Sequence, residues 1–126
     1  MIIRNTRTGA LISSEAGVAS SFLSRAVGLM LSKPRDLVLV SPREDIESSS
    51  IHMMFMLYPI DVIWLNSKKE VVEVRRDVQP FNPVKLGTWR IYKPKKPAKY
   101  VIELGRNRLI TVQEPTEGDL LDLTPP

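Results

Sequence analysis

Hydrophobic positions along most of this chain come in short runs, broken by proline, glycine and charged clusters rather than spaced at a helical period. The opening "MIIRNTRTGALI" predicts two short strands around a Thr-Gly turn, with Gly9 free to take a positive φ. "DLVLV" predicts a buried strand and "SPREDIESSS" the polar loop that follows it. Residues 51–57 and 60–65 are two apolar segments broken at Tyr58-Pro59, and "NSKKE" turns the second into "VVEVRR", so residues 60–76 form a hairpin. After the proline-bearing loop "QPFNPVKLG", the stretches "TWRIY", "YVIEL" and "RLITVQ" are further strand candidates, and "PTEGDLLDL" closes with a turn and a short apolar segment. One stretch departs from this rhythm. Phe22, Leu23, Ala26, Val27, Leu29 and Met30 recur at helical spacing, Ser20 or Ser21 can cap the start, and Pro34 ends it, predicting one short helix near residues 20–31.

Many short strands and a single helix define a mainly β fold, a small antiparallel barrel or sandwich with the helix packed on it. A length of 126 residues is that of one domain, spanning 1–126. The 43% hydrophobic and 25% charged content belongs to a soluble globular chain. Cysteine is absent, which removes disulfides, thiolate metal sites and cysteine nucleophiles. Charges interrupt the N-terminal stretch and no run approaches the roughly 18 apolar residues of a membrane span. The expectation is therefore a cytoplasmic protein with no membrane contact.

"RAVGLM" at 25–30, "MMFMLYPIDVIWLN" at 53–66, "PAKYVIEL" at 97–104 and "EGD" at 117–119 occur in an order that resembles the family of domain of unknown function number 192. That family's pattern has an arginine shortly before Gly-Leu-Met, an apolar strand ending in Pro-Leu-Asp, a hairpin, Pro-Ala-Arg-Tyr-Val-Leu-Glu-Leu and a late Gly-Asp. The likeness spans nearly the whole chain. Where similar bacterial sequences carry Phe-Trp-Met-Lys-Asn-Thr, this chain has Ile51, His52, Met53, Met54, Phe55 and Met56; Asn66 replaces an aspartate and Lys99 an arginine. The resemblance implies a β-rich, barrel-like or jelly-roll-like fold and brings no reaction, cofactor or catalytic residue with it.

Candidate chemistry centres on a few polar residues inside apolar runs. His52, Met54 and Met56 at alternate strand positions would present one imidazole and two thioethers, soft ligands suited to copper(I). Core packing is the stronger reading, because methionines fill irregular cores. The single histidine excludes multi-histidine zinc, and without a Gly-x-Ser-x-Gly turn it has no serine nucleophile to activate. Glu44, Asp45 and Glu47 form a solvated loop rather than a hard-cation site. No phosphate loop or dinucleotide fingerprint occurs, so neither a metal nor a cofactor is expected.

Asp61 and Glu103 interrupt "PIDVIWL" and "YVIEL", and a buried carboxylate must be paired or hydrogen-bonded. Arg25 is the expected partner of one of them. With His52, these three are the candidate pocket, and a structural ion pair is the competing explanation. Between Lys85 and Arg108 eight basic residues face Glu103 alone, with Trp89 and Tyr92 among them. Cations interleaved with aromatics are what single-stranded nucleic acid binders use, so Lys93, Lys95, Lys96 and Lys99 form a candidate basic surface. A solvated lysine-rich loop is preferred, since the net charge is only +4. The favoured function is a small non-enzymatic binding or accessory domain for an unidentified ligand. The alternative is an enzyme acting through Asp61, Glu103 and Arg25.

Overall fold

The computed structural model describes residues 1–21, 24, 29, 32–53, 56–80 and 91–125. Its strands are β1 (Ile2–Asn5), β2 (Leu11–Ser13), β3 (Gly17–Ala19), β4 (Asp36–Asp45), β5 (Ile60–Leu65), β6 (Val71–Val78), β7 (Ala98–Leu104) and β8 (Leu121–Thr124). They form a three-stranded sheet in the order β2-β1-β8 and a five-stranded sheet in the order β3-β4-β7-β5-β6. Every pairing is antiparallel except β3 with β4. The chain is thus mainly β, two stacked sheets rather than a closed barrel. The helix expected near residues 20–31 falls largely outside the described residues, as does Arg25.

Turn chemistry explains why the first strands meet. Gly9 has φ 73° and donates its N–H to the Asn5 carbonyl at 2.8 Å, as a residue free of a Cβ permits. The β5–β6 hairpin is set by Asn66, whose Oδ1 accepts the N–H groups of Lys68 and Glu70, each at 3.0 Å. An aspartate carboxylate accepts the same two bonds, so replacing the common aspartate by Asn66 keeps the turn.

The five-stranded sheet is covered on both faces. Alternation along β5 sends Ile63 and Leu65 to one side and Ile60, Val62 and Trp64 to the other. On the first side Val38, Ile63, Ile102 and Leu104 pack against Ile3, Ile12 and Leu121 of the smaller sheet. On the second, Leu37, Leu39, Val62, Trp64 and Val101 pack under Leu29, Ile51, Met53, Met56 and Tyr92. That is why "IDVIWL" is buried at all six positions. Each fully buried aliphatic side chain contributes about 1.5–3 kcal/mol. Trp64 is wholly enclosed and still satisfied, since its Nε1–H donates to the Ser49 carbonyl at 2.7 Å.

Two predicted strands take other forms. Among the described residues of 51–57, Ile51 alone pairs, through an isolated antiparallel bridge to Tyr92. Met53 and Met56 are buried in the core while His52 between them is exposed. Ile51, Met53 and Met56 therefore form a layer lying over the sheet. Residues 108–113 form a loop and a 3₁₀ turn at Thr111–Gln113. Side chains of the large sheet take the backbone groups that a ladder would need: Asp61 accepts the Leu109 N–H at 2.6 Å, and Arg76 donates to the Leu109 carbonyl at 2.7 Å.

Candidate functional site

Among the described residues four acidic ones are buried, Asp36, Asp61, Glu103 and Asp119, and their surroundings divide them three to one. Asp36 and Asp61 lie on strands flanking β7, opposite Leu104 from either side. Together they hold the segment that leaves β7. Asp36 Oδ1 accepts the N–H groups of Arg106 and Asn107 at 3.0 and 3.1 Å, and its Oδ2 accepts the Ser13 hydroxyl at 2.6 Å and the Asn107 amide at 2.5 Å.

Asp61 takes the other half of that segment. Its Oδ1 accepts Arg108 at 2.9 Å and the Asp77 N–H at 2.8 Å, and its Oδ2 accepts the Leu109 N–H. The Asp77 bond has a specific origin. Ile60 pairs with Val78 and Val62 with Arg75, so β6 carries one extra residue here. Asp77 has φ 54°, and its N–H is turned out of the ladder onto Asp61. Burial raises the Asp61 pKa, but the bonds from Arg108, Asp77 and Leu109 outweigh it and the carboxyl sits below its ordinary value.

Asp61 is thus partnered by Arg108 and by two backbone N–H groups, while the expected Arg25 lies outside the described residues. Arg108 also donates to the Pro59 carbonyl at 3.2 Å and to Asp77 at 3.3 Å, while its Nε is buried without a partner. Asp119, in the late Gly-Asp of the chain, accepts both Nε and Nη2 of Arg7 at 2.6 and 3.0 Å, Asn5 at 3.0 Å and the Thr116 N–H at 2.9 Å. Its hydrogen bond to Arg7 holds its pKa well below the carboxylate range. Three aspartates therefore act as tethers between strands and loops.

Glu103 is the exception. It stands on β7 opposite Leu37 of β4 and Val62 of β5, so its side chain enters the layer beneath Met53 and Met56. It is 6% exposed and has no hydrogen bond or ion pair among the described residues. Burial alone raises its pKa to about 7. Asp61, opposite Leu104, enters the layer on the other side of the sheet. The structure therefore does not bring Asp61 and Glu103 into one pocket; adjacent β7 register positions point to opposite faces.

The row that crosses the sheet at Glu103 runs Leu37, Glu103, Val62, Arg75. Arg75 is two strands away, roughly 10 Å at the usual strand spacing. It is already engaged, with Glu73 at 3.3 Å and with the Tyr92 ring, whose centroid lies 5.6 Å from its guanidinium carbon. The next position beyond Glu103 on this face is Gly105. A Cβ there would come within 2.5 Å of the Tyr58 ring, so Tyr58 lies against the end of β7. The Tyr58 hydroxyl is held by Ser32 at 3.0 Å and the Lys33 carbonyl at 3.2 Å.

The other candidates lie elsewhere. His52 is exposed and in contact with a neighbour, and it does not share a side with the buried Met56. Met54 lies outside the described residues. Lys93 pairs with Glu47 at 3.1 Å, and Lys95 and Lys96 pair with Glu117 at 2.5 and 3.0 Å. Lys93, Lys95 and Lys96 are thus each held by an acid. Lys99, half-buried on β7, has no ion pair among the described residues. Among the described residues no group of three acidic or histidine side chains could hold a metal, and no helix is long and apolar enough to cross a membrane.

Residues missed from the sequence were Asp36, Arg108 and the Arg7–Asp119 pair. Asp36 opens an apolar strand much as Asp61 does, which was the available signal. Nothing local singles out Arg108 from the other cations of its segment.

Comparison with known proteins shows the family and the fold. The sequence profile of domain of unknown function 192, described as "Uncharacterized ACR", matches residues 3–118. A UPF0127 protein of Thermococcus kodakarensis is 45% identical over 99% of this chain and 74% of its own. One from Pyrococcus furiosus is 40% identical, covering 94% of each chain. The crystal structure of a protein of unknown function from Novosphingobium aromaticivorans superposes with a TM-score of 0.75 at 17% identity, over 97% of this chain and 82% of that one.

Proposed function

Since the chain belongs to the uncharacterised family of domain of unknown function 192, we propose its function from geometry: a small non-enzymatic binding domain. Glu103 is the residue through which its ligand is held. One observation carries this reading. Of four buried acids, three are saturated with donors, and Glu103 alone stands without a partner among the described residues. An unpaired carboxyl in an apolar layer lowers stability. Groups held at such a cost are characteristic of sites rather than of cores.

The test is a fragment screen on methyl-labelled protein followed by NMR. Hits should move the methyl signals of Leu37, Val62 and Val101, and Glu103→Gln should change their affinity. Hits confined to the side of Asp61 and Leu104, or none at all, would refute the reading. The enzymatic alternative keeps one supporting observation, a carboxyl titrating near neutrality, as a general acid or base requires. It would then rest on Glu103 without Asp61.

A further inference from the structure

We propose that Asn66 is a self-modification site, at which the folded chain converts its own asparagine to aspartate through a succinimide formed with Ser67. This is independent of the Glu103 reading. The attack in such a step is made on the side-chain Cγ by the backbone nitrogen of the next residue, so it is intramolecular and needs only suitably placed groups. The turn between β5 and β6 carries them.

The electrophile is polarised first. Asn66 Oδ1 accepts the backbone N–H groups of Lys68 and Glu70, each at 3.0 Å, and two fixed donors on one amide oxygen stabilise the oxyanion that forms there. The attacking nitrogen has its own acceptor, because the Ser67 N–H donates to the carboxylate of Glu44 on β4. The departing amide is held as well. Asn66 Nδ2 donates to Glu70 Oε1 at 3.1 Å, a carboxylate that favours the positive charge building on that nitrogen. Asn66 is half-buried and Ser67 exposed, so water reaches the turn.

The step balances with water alone. Ser67 N bonds to Cγ and gives its proton to Glu44; the Cγ–Nδ2 bond breaks, and the same proton, relayed through water, leaves with Nδ2 as ammonia. Water then opens the ring. Addition at Cγ, the carbonyl that the two backbone amides polarise, restores the ordinary peptide link and leaves aspartate, whereas addition at the main-chain carbonyl leaves isoaspartate. Aspartate is therefore the favoured product. It accepts the same two backbone bonds, so the turn survives while Glu70 exchanges a donor for a like charge.

Asn5 shows what sets Asn66 apart. Its Oδ1 accepts the Arg7 N–H at 3.0 Å and its Nδ2 donates to Asp119 at 3.0 Å, which repeats the turn and the carboxylate on the amide. The next nitrogen differs. Thr6 N–H donates to the Leu120 carbonyl at 3.0 Å, a group that takes no proton, and Asn5 itself is wholly buried. Glu44 reaches Ser67 across 23 residues, so the Asn66 arrangement exists only in the folded chain.

The experiment ages the purified full chain at pH 7.4 and 37 °C, folded and in urea, and follows the digest by mass spectrometry. The peptide holding residue 66 should gain one dalton faster from the folded chain than from the unfolded one. Its product should coelute with the same peptide from Asn66→Asp, and Asn5 should stay unmodified. Glu44→Gln, which still accepts the Ser67 N–H but cannot take its proton, should slow the folded-state reaction by about tenfold or more. The comparison of folded with unfolded wild type needs no variant to fold. Slower conversion in the folded chain than in urea, isoaspartate as the main product, or an unchanged rate in Glu44→Gln overturns the proposal.

Discussion

Removing the charge of Glu103 should stabilise the protein, and the gain should grow with pH. The magnitude follows from burial. The carboxyl has a folded pKa of about 7 against an ordinary value of 4.5, with burial as the cause. Below the ordinary value both folded and unfolded chains hold the proton, and Glu103 adds no pH dependence. Between there and about pH 7 the unfolded chain releases the proton while the folded chain keeps it. Stability falls by about 1.4 kcal/mol per pH unit in that window, to a total of about 3 kcal/mol. Above pH 7 both states are ionised and the cost is constant. Glu103→Gln cannot ionise and has no such slope. Urea denaturation of both proteins from pH 4 to 9, followed by tryptophan fluorescence, reads the difference. The variant should match the wild type near pH 4.5 and exceed it by about 3 kcal/mol at pH 8. Parallel curves across the whole range would refute the premise that Glu103 is buried without a counter-charge.

Asp61→Ala should behave in the opposite way, costing about 3–5 kcal/mol, since it strips the buried acceptor from Arg108 and two backbone amides. Thermal denaturation checks this, and Asp61→Asn, which keeps one oxygen acceptor, should fall between. Because the Asp61 pKa is lowered on folding, its contribution is present above the unfolded value near 4 and is lost as pH falls through the folded one. An unchanged melting temperature in Asp61→Ala would show that the tether is dispensable. Gly105→Ala should destabilise by about 1–3 kcal/mol, because the new methyl would meet the Arg35 carbonyl at 2.7 Å and the Tyr58 ring. If chemical denaturation gives wild-type stability instead, the close approach of Tyr58 to β7 is wrong.

Local pattern was enough to define the fold class and several details of it. The run from Ile60 to Leu65 reads as a buried strand, Asn66 and the residues after it as its turn, and Gly9 as a positive-φ position, because each depends on neighbours within a few residues. The same local reading flagged Asp61 and Glu103 as polar interruptions of apolar strands. Their roles were decided by register. Asp61 faces the smaller sheet because it stands opposite Leu104, and Glu103 faces the other layer because it stands one position earlier on β7. A shift of one residue in that pairing would exchange the two environments. Partners depend still more on tertiary structure. Arg108 reaches Asp61 across 47 residues and Arg7 reaches Asp119 across 112, distances over which no sequence spacing carries information. "RLITVQ" has a strand's composition, yet its backbone groups were claimed by Asp61 and Arg76 of the large sheet. Sequence alone determined which segments could be strands. Tertiary pairing decided which buried acid was satisfied and which was left open, because the electrostatic cost of a buried carboxyl depends on what surrounds it in space.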